Sequence, residues 1–240
     1  MACDRRALKR DAKDAMHQMR MRPVVATIIF FVIEIVLNLI YNGVASIFGK
    51  AYWQVAPMLR YGVPIGRVYV SIFTGRGGAV ILFVYIIIVL IGLLLTYGYS
   101  AVYSLRVARR DTEAGVKDFF VGFQRPGRII LAGILMAIFI YLWSLLLIFP
   151  GIIAAYRLRM TFYLMADHPE LTCLEAMRQS RLLMKGFKWQ AFVLDLSFLG
   201  WFLLGIVTCG VLFIYVSPYY STTAAHFYFY VRNNQQVRAA

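Results

Sequence analysis

Charge is scarce in this chain, and acid is scarcer than base. Charged residues fill 15% of the 240 positions and hydrophobic ones 61%, against roughly 25% and 45–50% in soluble domains. That balance excludes an ordinary soluble domain. It equally excludes a disordered chain, which needs low hydrophobicity and high charge. Cysteine is nearly absent: Cys3, Cys173 and Cys209 are far apart, so they supply no disulfide framework. Catalytic signatures are missing as well, with no H-E-x-x-H, C-x-x-C, G-x-S-x-G or G-x-x-x-x-G-K-[ST]. Gly75-Arg76-Gly77-Gly78 is too short to cradle a phosphate and reads as a flexible turn. Asp167, His168 and Glu170 crowd metal-ligating types together, but a backbone rarely aims all three at one ion, so we read a turn before a helix. We expect no catalytic group, no metal and no cofactor.

What is present is long apolar runs. Val24–Phe48 and Ala79–Tyr103 are each about 25 residues, enough to cross roughly 30 Å of hydrocarbon at about 1.5 Å per residue. The first is too long for the h-region of a cleaved signal. Ile129–Ala166 and Ala191–Val231 are each about twice a span. Each therefore reads as two helices joined by a tight turn, the first turn at Pro150 and Gly151, the second at Gly210. The two runs share a pattern, Trp143 to Ile148 and Trp201 to Ile206 both reading W-x-L-L-x-I before a glycine turn.

Base is distributed unevenly. Of 25 Lys and Arg, seven lie in 1–23, six in 104–128, four in 172–189 and two in the tail, with four in 49–78. Short basic segments resist translocation and meet anionic lipid on the cytoplasmic side. The expected fold is therefore all-α: a polytopic transmembrane bundle of about six spans in three hairpins, each preceded by a cytoplasmic amphipathic segment, with both termini cytoplasmic. The segments are a basic helix at 1–23; a first hairpin at 24–103 with an external loop at 49–78; a cytoplasmic segment at 104–128; a second hairpin at 129–168; a basic helix at 169–189; a third hairpin at 190–231; and a tail at 232–240. With no reading fold to accompany the charge, nucleic acid is not an expected partner. The expected partners are the bilayer, anionic headgroups on its cytoplasmic side, and a second membrane protein.

Two intervening segments are amphipathic at 100° per residue. In 5–20, Leu8, Ala12, Ala15, Met16 and Met19 share an arc beside one of Arg and Lys. In 172–187, Ala176, Met177, Leu183, Met184 and Phe187 face away from Arg178, Arg181 and Lys185. Thr172 and Glu175 have capping-box spacing, which starts this helix. Such helices suit the interfacial plane or the ends of their own bundle.

Several stretches together carry a resemblance: ALKRDAKD at 7–14, LWSLLLIFPGII at 142–153, ADHPEL at 166–171, Glu175-Ala176, MKGFKW at 184–189 and LSFLGWF at 196–202. Over somewhat more than half its length the chain resembles the bacterial domain-of-unknown-function-975 membrane family. The resemblance implies a multi-pass protein of the bacterial inner membrane. It implies no reaction, since none is assigned to the family.

Ionisable groups inside apolar runs are costly unless paired or hydrated, so they mark candidate sites. Thr27, Glu34, Asn38 and Tyr41 form one stripe on the first span. Glu34 and Arg157 each lie about ten residues from a cytoplasmic boundary, about 15 Å deep. Arg159 is slightly shallower, and Asp195, near the start of the fifth span, is within reach of Lys185 or Lys188. The candidate polar cluster is therefore Glu34, Asn38, Arg157, Arg159 and Asp195, with Glu34 expected to pair with Arg157 or Arg159. Such a pair either fixes helix register or lines a polar cavity for an ion or amphiphile headgroup. Gly92, Thr96 and Ser100 recur at helical spacing as a close-packing face. The functional readings are a non-enzymatic scaffold or accessory membrane protein, then a small transporter or amphiphile-handling permease, and last an enzyme acting on lipid.

Overall fold

The structure is a computed structural model that describes residues 5–19, 23–48, 76–146, 148–208 and 210–239. Every regular element among them is helical. In chain order these are α1 (Arg5–His17), α2 (Pro23–Phe48), α3 (Arg76–Tyr97), a π-helical turn (Gly98–Tyr103), α4 (Ser104–Ala108), a 3-10 segment (Val116–Gln124), α5 (Pro126–Leu146), α6 (Ile148–Leu158), α7 (Thr161–Asp167), α8 (Cys173–Leu183), α9 (Lys188–Leu196), α10 (Leu199–Val207) and α11 (Phe213–Ala239). Most of the expected external loop, 49–75, lies outside the described residues. The chain divides into two compact units, Met1–Phe30 with Leu94–Ala240, and Phe31–Leu93.

The larger unit is organised on α11. Val216, Tyr219, Ala224, Ala225, Phe227, Tyr228 and Val231 are buried along it, and so are Ser221, Thr222 and Thr223. Helix α1 packs on α11 and α4 and buries Leu8, Ala12, Ala15 and Met16. Full burial of a Leu or Met side chain is worth about 1.5–3 kcal/mol. The apolar stripe of α1 is thus occupied by its own bundle. Lys9 donates to the Ser197 carbonyl at 3.1 Å and lies over the Phe198 ring at 4.2 Å. Burial there, with Arg5 nearby, lowers the Lys9 pKa.

The π-helical turn and the 3-10 segment approach backbone to backbone. A Cβ on Gly98 would collide with the Phe119 main chain, and one on Gly122 with that of Leu94. Tyr99, Tyr103 and Phe119 fill the space around them, the two tyrosines stacked and Phe119 edge-on to both. The Tyr99 hydroxyl joins Thr27 Oγ1 at 2.8 Å and Ser217 Oγ at 3.1 Å, tying α2, the π turn and α11 together. In the smaller unit, Tyr41 and Tyr85 meet at 5.6 Å between ring centroids, and Gly92 faces the Glu34 carboxylate.

Six spans were expected. Four described helical stretches are long and apolar enough to cross a membrane: Pro23–Val44, Ala79–Ala108, Pro126–Leu145 and Lys188–Val207. Only 11–22% of each window is buried, so their apolar sides face outward. The expected fourth span is instead split into α6 and α7 by a break at Arg159 and Met160. The 11 residues of α6 reach only about 16 Å. The expected sixth span falls in α11, whose 27 residues are long enough but contain Pro218 and many polar side chains. A helix surrounded by protein needs no apolar surface, because its hydroxyls bond to its own backbone. Thr223 Oγ1 donates to Tyr219 O at 2.7 Å and Ser221 Oγ to Pro218 O at 3.2 Å. The turn expected at Pro150 and Gly151 also moves: both lie in the first turn of α6, where proline's missing N–H has no helical partner to lose. Gly210 sits between α10 and α11 at φ +90°, a conformation that suits a residue without Cβ.

Candidate functional site

The break between α6 and α7 creates the site. Helix α8 packs across α5, α6 and α7. Its capping box forms: Thr172 Oγ1 accepts from the Glu175 N–H at 3.4 Å, and Glu175 Oε2 accepts from the Thr172 N–H at 2.9 Å. The Thr172 N–H and the Thr172 hydroxyl, which lies 2.7 Å from Glu175 Oε2, hold the Glu175 carboxyl below its usual pKa. The side of α8 carrying Cys173, Ala176, Met177 and Ser180 is buried. Ser180 closes the break, donating to the Arg157 carbonyl at 2.9 Å and accepting from the Met160 N–H at 3.2 Å. The other end of α8 is held by Gln235 of α11, whose Nε2 donates to the carbonyls of Leu183 and Lys185, each at 3.1 Å. The outward face of α8 is thereby fixed in direction.

Arg157 and Arg159 lie on opposite sides of this junction. Arg159 turns inward and forms a bidentate pair with Asp195 of α9, Nη1 to Oδ2 at 2.5 Å and Nη2 to Oδ1 at 2.8 Å. Tyr156 donates to Asp195 Oδ2 at 2.8 Å and Tyr220 to Oδ1 at 2.9 Å. The Arg159 side chain is 14% exposed and that of Asp195 27%. One charge of each sign, joined by parallel bonds and capped by two phenols, is the arrangement in which a desolvated ion pair recovers most of its burial cost.

Arg157 turns outward. With Arg178, Arg181, Lys185 and Lys188 it lines a groove of ≈ 670 Å³ completed by Leu174 and Leu182. No carboxylate lines it, and among the described residues none of these five cations has an ion-pair partner. Arg181 lies over the Phe139 ring of α5, 5.6 Å from its centroid. Two like charges about 7 Å apart repel by roughly 0.6 kcal/mol in water and about 2.4 kcal/mol at an effective dielectric of 20. The groove therefore favours an anion.

Arg159 and Asp195 come together, and Asp195 is taken by Arg159 rather than by Lys185 or Lys188. Arg157 is exposed and joins Arg178, Arg181 and Lys185, the basic residues expected at the interface, instead of serving as a buried partner. Glu34 and Asn38 belong to the smaller unit. There Glu34 is half-buried beside Gly92, and Asn38 accepts from Asn42 Nδ2 at 2.7 Å.

Two further ionic clusters were not anticipated. Asp167, whose side chain is 5% exposed, bonds Arg109, Arg232 at 2.5 Å and Tyr228 at 2.8 Å. Burial alone would raise its pKa, but the Tyr228 hydrogen bond and the two guanidinium groups outweigh it and hold the carboxyl below its ordinary value. Asp118, buried, pairs with Arg106 at 2.5 Å and accepts from the Gly115 N–H at 2.9 Å. The scarcity of acid was the available signal, since an aspartate in so basic a chain is drawn to several cations. Its partners are remote in sequence and could not be assigned.

A family model described as "Protein of unknown function (DUF975)" matches residues 1–155 and 145–235. No curated protein and no solved structure matches the chain.

Proposed function

The chain belongs to the DUF975 family, whose function is unknown, and from that premise we propose that it is a non-enzymatic, multi-pass protein of the bacterial inner membrane, acting as a scaffold or accessory subunit. Four long apolar helices with outward-facing apolar sides support the membrane part of this reading. One observation supports the scaffold part most: the Arg159–Asp195 pair is saturated by its own phenols, which is how intramembrane charge is used to hold helices in register. The distribution of base favours both termini on the cytoplasmic side, with 49–78 outside. A reporter fused after Ala240 then reads cytoplasmic, and a cysteine placed at Arg60 labels from outside; reversal of both results overturns the topology.

A second reading, a small transporter or amphiphile permease, is favoured by one residue. Glu34 carries a carboxylate within an apolar helix and has no ion-pair partner among the described residues. Proteoliposomes separate the readings. A scaffold keeps its fold and its co-purifying partner in Glu34→Gln and moves neither solute nor protons. A transporter shows a flux in the parent chain that this change alters.

A further inference from the structure

We propose that the groove between α6, α8 and the start of α9 is a binding site for the phosphate headgroup of an anionic phospholipid. The inference rests on the membrane reading above and adds a defined site and ligand class to it.

The charge argument comes first. Five cations converge from three stretches of chain: Arg157 from the end of α6, Arg178 and Arg181 from α8, and Lys185 and Lys188 from the turn into α9. Elsewhere in this basic chain arginines have gathered aspartates, as Arg159, Arg109, Arg232 and Arg106 do. Here none has. Ser180, the Thr172–Glu175 cap and the Gln235 contacts hold the backbone from which these side chains extend, so all five start from one groove. A local concentration of unneutralised charge is the arrangement an external phosphate completes. Guanidinium groups take phosphate oxygens in pairs, and lysines supply charge without a fixed geometry.

The choice of lipid over a soluble anion comes from the apolar part. Leu174 and Leu182 are each 61% exposed in the same groove as the arginines. A site for a free anion has no use for them, whereas a phospholipid brings acyl chains beside its phosphate. The groove also ends where hydrocarbon begins on this reading. Lys188 opens the apolar stretch Lys188–Val207. The next residue, Trp189, is 72% exposed and stacks on Phe192 at 5.3 Å. A tryptophan at the end of an apolar helix marks headgroup depth. A basic face with exposed leucines in it matches a surface lying at that depth. At ≈ 670 Å³ the groove has room for more than a bare phosphate.

The test uses the full chain, reconstituted in nanodiscs of phosphatidylcholine alone and of an equal mixture with phosphatidylglycerol, with retained lipid read by native mass spectrometry. A parallel titration follows fluorescent phosphatidylglycerol binding to the protein in neutral detergent. The parent chain should retain phosphatidylglycerol in preference to phosphatidylcholine. Arg157→Gln with Arg181→Gln should weaken the titrated affinity about 25-fold, at roughly a factor of five per basic residue lost. Arg157→Lys with Arg181→Lys should recover most of it. Lys117→Gln, an exposed charge outside the groove, should change nothing. Equal retention of the two lipids, or unchanged binding in the double glutamine variant, overturns the proposal. So does inorganic phosphate competing as well as the lipid, which would make this a free-anion site, or a nucleic acid binding the groove more tightly than the lipid. A chain that stays dispersed in detergent-free buffer and enters neither nanodisc overturns the membrane reading itself. Entry into both discs without lipid preference overturns only the groove.

Discussion

Arg157 and Arg159 stand two residues apart and have opposite surroundings. Arg159 sits among Asp195, Tyr156 and Tyr220, with every formal charge balanced. Arg157 sits among four other cations and is exposed. The helix break beside them permits this, because Arg157 belongs to the last turn of α6 while Arg159 lies in the linker to α7. The comparison shows that a basic residue in an apolar run is not one kind of signal. A charge neutralised inside the protein fixes helices relative to one another. A charge left unneutralised in a surface groove is available to an anion from outside.

The strongest way to break the comparison is to unbalance the inner side. Asp195→Ala leaves Arg159 without its counter-charge and should cost about 3–5 kcal/mol, read as loss of thermal stability in neutral detergent. Arg159→Met with Asp195→Leu removes both charges and should recover most of that loss. If the double variant is no more stable than Asp195→Ala, the pair is not acting as a balanced unit.

A smaller effect is expected at Asp167, whose arginine partners are partly exposed. Its pKa is lower folded than unfolded, so its contribution is present above the unfolded value, about 4, and is lost as pH falls through the lower folded value. Thermal stability should therefore fall in acid below about pH 4. Asp167→Asn should lower stability at neutral pH by about 1–3 kcal/mol and flatten that acid dependence. An unchanged acid profile in the variant would remove Asp167 from the account.

The outer side should respond least. Arg157→Gln with Arg181→Gln relieves repulsion and gives up the Arg181–Phe139 contact but breaks no ion pair, so stability in neutral detergent should change by about 1 kcal/mol or less in either direction. A loss as large as that of Asp195→Ala would mean that the groove cations hold the fold, and that the contrast with Arg159 is false.

Much of the local structure was legible because it depends on spacing. The arc of Leu8, Ala12, Ala15 and Met16 is the buried side of α1. The Thr172–Glu175 spacing makes the cap of α8. Of about six expected spans, four stand out among the described helical stretches, for two reasons. Hydropathy assumes that every helix faces lipid, and α11 faces other helices. A proline before a glycine also looks like a turn, yet Pro150 is accommodated inside the first turn of α6. The candidate polar cluster was assembled from depth along each helix. Depth does not say on which side of a helix a residue points, so Arg157 and Arg159 were grouped although they point apart.

The sequence by itself determined that the chain is helical and that it carries long stretches apolar enough for hydrocarbon, because these follow from the periodicity of a helix and the cost of exposing apolar surface. Only the tertiary structure decided which charges meet. Pairing Arg159 with Asp195, Asp167 with Arg109 and Arg232, and Arg157 with the cations of 178–188 requires bringing together residues remote in sequence. Coulomb energy depends on that distance in space and not on separation along the chain.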